Sequence, residues 1–208
     1  MTAAKIKICG LRRPVDINYV NEAKPDFAGF ILTPGFRRSV DEAQAAQLAE
    51  CLDSQIQRVG VFVNDDIDHI VDIVRAGTVD MVQLHGAEDE AYMDRLRAKL
   101  EEESCPVPLV KAFTVRGPDD IEAARANSAD YVLLDNGKGT GQAFDWRLIA
   151  DIGRPFFLAG GLDPDNISQA IQQFHPFAVD ISSGVETDGY KDELKVRAAV
   201  AAARKESK

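Results

Sequence analysis

Ile6-Lys7-Ile8-Cys9-Gly10-Leu11-Arg12-Arg13 is the stretch on which the architecture turns. It opens as a short, nearly continuous apolar run, the pattern of a strand buried on both faces of a parallel sheet. It then enters a turn. In an open doubly wound sheet the turn after the first strand carries the fingerprint GxGxxG. Here the turn reads Cys9-Gly10-Leu11-Arg12-Arg13, without it. That disfavours the open sheet and directs attention to how many such strands follow.

Seven more runs of the same kind follow: Phe27 to Leu32, Val59 to Val63, Val79 to Leu84, Pro108 to Phe113, Tyr131 to Leu134, Pro155 to Ala159 and Phe177 to Ile181. Between them lie segments of helical period. Asp41 to Ala49 follows Ser39 with acids in its first turn, and Ile67, Ile70, Val71 and Val74 share one face, as do Met93, Leu96 and Leu100. Asp163-Pro164-Asp165-Asn166 reads as a helix start with Asp163 as N-cap, and a last helix is expected from Lys191 or Asp192, fraying after Ala203. Eight strand–helix units at a repeat of roughly 25 residues close a barrel, so the predicted fold is α/β, a (β/α)8 TIM barrel, with residues 1–208 as one domain.

Hydrophobic residues make up 45% of the chain and charged residues 28%, ordinary values for a globular protein. A net charge of −10 argues against a nucleic-acid grip, which needs a surplus of Lys and Arg on one face. It leaves room for a small anion held by backbone N–H groups or a local arginine. No apolar run approaches the ~20 residues of a membrane helix, and no signal peptide is expected. Cys9, Cys51 and Cys105 are widely spaced and suggest neither a disulfide framework nor a metal site, so a reducing cytoplasm is the expected setting.

Active sites of such barrels lie at the C-terminal ends of the strands. That rule selects Cys9, Asn64, His85, Asp135, Ser182 and Ser183, with Arg37 and Arg38 in the loop after strand two. Cys9 is either a base, its thiolate favoured by Arg12, Arg13, Arg37 or Arg38, or a buried inert thiol. Asp135 either faces the mouth as an acid or caps a loop. Gly160-Gly161 after strand seven and Ser182-Ser183-Gly184 after strand eight occupy the two loops with which barrels often hold phosphate; the competing reading is ordinary tight turns. Gly137-Lys138-Gly139-Thr140-Gly141 suggests a lid. One of the two loop arginines could hold a carboxylate, but from position alone a solvated loop charge is the favoured reading. His85 is a ligand contact or a structural hydrogen-bonder, and Asp180 could reach sugar hydroxyls from inside the barrel. His69 and His175 fall outside the mouth, so no metal is expected.

Taken together, Lys7-Ile8-Cys9-Gly10-Leu11, Val59-Gly60-Val61-Phe62-Val63-Asn64, Val82-Gln83-Leu84-His85-Gly86, Leu133-Leu134-Asp135, Gly139-Thr140-Gly141 with Phe144-Asp145-Trp146, Leu158-Ala159-Gly160-Gly161-Leu162 and Val179-Asp180-Ile181-Ser182-Ser183-Gly184-Val185-Glu186 resemble the phosphoribosylanthranilate isomerases of tryptophan biosynthesis. The resemblance spans the chain in order. Each motif alone is weak; the set is specific. It implies an aldose–ketose isomerase performing an Amadori rearrangement of N-(5′-phosphoribosyl)anthranilate to the aminodeoxyribulose phosphate. Cys9 would take the sugar C2 proton and Asp135 would protonate the ring oxygen. The strand-two arginine, better matched by Arg38 than Arg37, would bind the anthranilate carboxylate, and Gly161, Ser182, Ser183 and nearby backbone the phosphate. No cofactor is implied, and monomer and homodimer both remain open. The histidine-pathway isomerase of the same architecture would carry Asp where Cys9 stands, and a metal-dependent epimerase would need histidines absent here. A non-catalytic phosphate-binding barrel would not need both Cys9 and Asp135. Arg12, Arg13 and Lys138 depart from the family's usual residues.

Overall fold

The structure is a computed structural model describing residues 4–135 and 152–205. Eight parallel strands pair in chain order and close into a barrel: β1 (Lys5–Cys9), β2 (Phe27–Ile31), β3 (Gln57–Phe62), β4 (Met81–Leu84), β5 (Leu109–Thr114), β6 (Tyr131–Asp135), β7 (Phe156–Ala159) and β8 (Ala178–Ile181), with β8 returning to β1. All eight runs read from the sequence are strands, within two residues at their ends. Helices α1 (Pro14–Ala23), α2 (Glu42–Glu50), α3 (Ile67–Arg75), α4 (Glu90–Glu102) and α5 (Pro118–Ala126) follow β1 to β5, α6 (Ile167–Phe174) follows β7, and α7 (Glu193–Lys205) follows β8. A two-strand hairpin, β9 (Glu186–Thr187) and β10 (Tyr190–Lys191), precedes α7. Lys138, the Gly139-Thr140-Gly141 loop and Phe144-Asp145-Trp146 lie outside the described residues.

Alternation along each strand sorts the apolar residues into two cores. Ile6, Ile8, Phe30, Phe62 and Leu84 face the helices in the larger core. Phe27, Val59, Met81, Val110, Leu133 and Phe157 fill the barrel interior. At the N-terminal end the fill is aromatic: Tyr131 stacks on Phe177 at 4.7 Å between centroids, and the Lys5 ammonium sits over the Phe27 and Phe177 rings. This plug gives the site a solid floor.

The register has a local device. Asp26, Asp80 and Asp130 each stand immediately before an even-numbered strand. Each accepts the backbone N–H of a residue in the preceding strand: Ile6 at 2.9 Å, Arg58 at 2.9 Å and Leu109 at 2.8 Å. A charged acceptor strengthens such a bond, so three carboxylates pin adjacent strands at the end opposite the site.

The helices start as their caps dictate. Asp41, Asp66 and Asp89 have extended backbones and accept N–H groups from the first turns of α2, α3 and α4. One cap differs from expectation. Asp163 accepts from Asp165 and Asn166 and so caps a turn, while α6 begins at Ile167 with Asn166, three residues further on, at its N-cap. Lys191 likewise belongs to β10, so the last helix starts at Glu193, and it stays helical past Ala203 to Lys205.

Candidate active site

The C-terminal mouth holds a cavity of about 300 Å³. Cys9 and Asp135 both line it, as do Arg38, His85, Asp180, Gly160, Gly161, Ser182, Ser183 and Gly184. β6 stands three strands round the ring from β1, so Cys9 and Asp135 face one another across the mouth. Arg37 is not in the lining. Among the residues singled out by strand-end position, Asn64 is the one that serves the scaffold. Its Oδ1 accepts the Ala87 N–H at 2.6 Å and its own N–H donates to Glu88 at 2.7 Å.

Cys9 ends β1 and is 7% exposed. Its neighbour across the sheet is Gly29, and the absence of a side chain there makes the space it occupies. A Cβ on Gly29 would stand 2.9 Å from Cys9 Sγ and 3.1 Å from Lys7 Cε. The positive charge near the thiol comes from Lys7, Arg38 and Lys191, each of which interacts electrostatically with Cys9. Arg12 and Arg13, expected as contributors, are engaged elsewhere. Arg12 donates to the Arg37 and Gly189 carbonyls, Arg13 pairs with Asp16 at 2.7 Å, and both guanidinium groups lie over the Tyr190 ring.

The two arginines of the strand-two loop separate clearly. Arg38 is 18% exposed and crosses over Gly10, where a Cβ would lie 2.5 Å from Arg38 Cδ. Its Nε and Nη2 donate to the two oxygens of Glu186 at 2.5 and 2.9 Å, a bidentate clamp that fixes the guanidinium plane. Arg37 is 53% exposed and touches Glu186 from outside. Lys191, buried, completes the cluster with bonds to Glu186 Oε1 at 2.9 Å and the Ser182 carbonyl at 2.8 Å. Burial lowers the Lys191 ammonium below the ordinary lysine value despite Glu186. Glu186 is held at about 2: burial raises it, but hydrogen bonds from Arg38 and Lys191 and the charge of Lys191 outweigh that.

The side of the mouth formed by the β7 and β8 loops is built from backbone. Gly160 and Gly161 have φ of 91° and 67°, a region that suits glycine, which turns the chain sharply beside the cavity. Ser182 Oγ donates to the Cys9 carbonyl at 3.1 Å and so ties this loop to β1. Ser183–Val185 form a single 3-10 turn against the β7 loop. His85 follows β4, and the Gln83 amide donates to its Nδ1 at 2.8 Å, which leaves the ring proton on Nε2. Burial lowers its pKa below the ordinary value, so the ring is neutral near pH 7. Asp180 accepts both its hydrogen bonds from Lys7 Nζ, at 3.1 and 3.0 Å.

A family model described as N-(5'phosphoribosyl)anthranilate (PRA) isomerase matches residues 6–202. The chain belongs to this isomerase family. The N-(5'-phosphoribosyl)anthranilate isomerase of Endomicrobium trichonymphae is 48% identical over 197 residues, covering 92% of this chain and 94% of that protein. Among solved structures, monomers of the dimeric phosphoribosylanthranilate isomerase from Thermotoga maritima superpose with a TM-score of 0.83 at 32% identity, covering 97% of this chain and 99% of that one. A phosphoribosyl anthranilate isomerase in complex with reduced 1-(o-carboxyphenylamino)-1-deoxyribulose 5-phosphate matches with a TM-score of 0.81 at 33% identity over 97% and 99% of the two chains.

Four side chains around the mouth were not singled out in the sequence: Lys7, Gln83, Glu186 and Lys191. Lys7 carried a signal, since a lysine two residues before Cys9 in an apolar strand must share its inward face. Glu186 and Lys191 carried none, because their pairing depends on a hairpin that forms only in the fold. Among the described residues no group of His, Cys, Asp and Glu is arranged to hold a metal, and no helix is long and apolar enough to cross a membrane.

Proposed function

We propose that this chain performs the isomerisation of its family with Cys9 as general base and Asp135 as general acid. The observation that supports it is the placing of both at one mouth, between the loops of Gly160-Gly161 and Ser182-Ser183-Gly184 and the guanidinium of Arg38. The substrate, N-(5′-phosphoribosyl)anthranilate, spans those two ends. Its phosphate sits against the glycine and serine loops, and its carboxylate meets Arg38. Asp135 gives a proton to the furanose oxygen, and the ring opens to the protonated imine. Cys9 then removes the C2 proton, yielding an enolamine that becomes the aminoketose 1-(2-carboxyphenylamino)-1-deoxyribulose 5-phosphate. Neutral His85 and Asp180, whose oxygens keep lone pairs beyond those used by Lys7, meet the sugar hydroxyls. The proton moves between adjacent carbons with an acid and a base alone, so the reaction calls for no cofactor. The role is in L-tryptophan synthesis, in the cytoplasm, by a monomer or homodimer acting on a small phosphoribosyl substrate without nucleic acid or membrane.

The test generates the substrate in place from anthranilate and phosphoribosyl pyrophosphate and follows its fluorescence. Wild type should consume it, and Cys9→Ser should bind it yet lose most turnover, because a hydroxyl is a far poorer base. Equal decay in both would move the base to another residue. Decay in neither, with folded protein, would reduce the molecule to a phosphate-binding barrel.

A further inference from the structure

Three lysines are buried among the described residues, and two have a plain structural duty. Lys111 ties the β4 loop through Glu88 and the Gly86 carbonyl, and Lys191 ties the β9–β10 hairpin through Glu186 and the Ser182 carbonyl. Lys7 holds no loop. It is wholly buried inside the barrel, with its ammonium bonded to both oxygens of Asp180 on the adjoining strand. Desolvation makes such an internal pair no more stabilising than apolar residues of similar size, so packing alone does not call for it.

The same ammonium also interacts electrostatically with Cys9. The two residues share the inward face of β1, and both press on the space left by Gly29. The other charged and titratable groups around the thiol come from different elements. Arg38 approaches from the β2 loop and Lys191 from β10, both already tied to Glu186. Asp180 stands on β8 beside Lys7, and His85, just after β4, and Asp135, ending β6, line the mouth. Lys7 is thus the cation that shares the inward face of β1 with Cys9 and borders the same Gly29 space.

We propose that Lys7 is a positioning residue for the isomerisation, its ammonium serving as the fixed counter-ion of the Cys9 thiolate at the floor of the cavity. The inference rests on the reading of Cys9 as the base. Lys7 keeps its proton throughout. When Cys9 takes the C2 proton and its charge disappears, Asp180 still balances Lys7, so the ammonium is never left unpaired in the interior. The pair therefore holds one geometry through both charge states of the thiol.

The experiment uses a Cys51→Ser, Cys105→Ser background, in which Cys9 is the remaining thiol of the three cysteines. Thiolate ultraviolet absorbance and kcat/KM are both followed against pH, with and without Lys7→Met. The thiolate midpoint and the acid limb of kcat/KM should rise together by about one to three pH units, with KM little changed and activity recovering at high pH. A merely structural role would not give that recovery. Asp180→Asn should shift the midpoint the opposite way. Should Lys7→Met fail to fold, the charge-balanced pair Lys7→Met with Asp180→Asn should still raise it, because Lys7 lies beside the thiol on β1 and Asp180 on the adjoining strand. An unmoved midpoint in the Lys7 variants overturns the proposal. A wild-type acid limb that does not follow the thiol removes Cys9 as the base, and the catalytic role of Lys7 with it.

Discussion

Arg38 and Arg37 stand side by side in sequence, yet the structure gives them different neighbours, and that difference has a kinetic consequence. Arg38 lies at the cavity with two of its nitrogens clamped by Glu186, while Arg37 meets the same carboxylate from the solvent side. Arg38→Met should therefore raise KM for the carboxylate-bearing substrate by about tenfold or more with a smaller effect on kcat, the size expected for losing a charged hydrogen bond of ~1.5–3 kcal/mol. Arg37→Met should change KM less than threefold, as expected of an exposed ion pair worth under ~1 kcal/mol. Steady-state kinetics on both variants decides it, and a larger effect at Arg37 would transfer the carboxylate contact to that residue. The sequence could narrow the choice to two arginines, because only their loop position was readable. Which of them lies at the cavity is set by Gly10, whose missing side chain lets Arg38 cross, and by Glu186, nearly 150 residues further along the chain. Lys7 shows the opposite case: it was not singled out, although strand alternation suffices to place it beside Cys9, and only the identity of its buried partner needs the fold.

At the scale of elements, the loops after β7 and β8 meet at Gly184. A Cβ there would fall on the Leu162 carbonyl oxygen and stand 2.9 Å from Leu162 C and 3.1 Å from Asp163 Cα. These are backbone atoms, so no rotamer change relieves the clash and the two loops must part. Gly184→Ala should weaken binding of the phosphorylated substrate by about tenfold, since one misplaced loop disturbs several contacts at once. It should also weaken competitive inhibition by inorganic phosphate, while a competitive anthranilate-like inhibitor is affected less. Equal losses for both inhibitors would mean that the substitution disorders the whole mouth. The strands and glycine loops were legible because buried parallel strands are continuous apolar runs and sharp turns need glycine. The α6 cap was misread because Asp163, Asp165 and Asn166 are all competent caps, and which one wins depends on how the chain leaves Gly161. Asn64 was misread because strand-end position does not reveal side-chain direction; its positive φ of 49° turns it toward the β4 loop instead.

For the whole molecule, the closing of an acidic chain around a mouth with clustered cations leaves a signature in stability against pH. Glu186 sits among Arg37, Arg38 and Lys191, and its carboxyl is held at about 2 against an ordinary 4.5. A group whose pKa falls on folding binds its proton more readily in the unfolded chain, so its stabilisation is fully present above the ordinary value and drains away as the pH falls through the folded one. Asp80, Glu88, Asp120 and Asp192 are lowered in the same sense, opposed by burial or helped by their hydrogen bonds. The carboxylate contribution to the urea midpoint should therefore be flat from pH 7 to about 5 and decline progressively below that. His85, lowered by burial, costs stability as the pH falls below the ordinary 6.5, and His69, whose burial is outweighed by Asp65 and Glu42 so that its pKa is raised, opposes this. Glu186→Gln keeps the shape and gives up the charge, so it should be less stable at neutral pH and lose less on acidification, the two curves converging toward pH 2. The remaining slope belongs to the other four carboxylates and the two histidines. Curves that stay parallel over the whole range would show that Glu186 titrates alike in both states, and that the cations around it serve the mouth without stabilising the barrel.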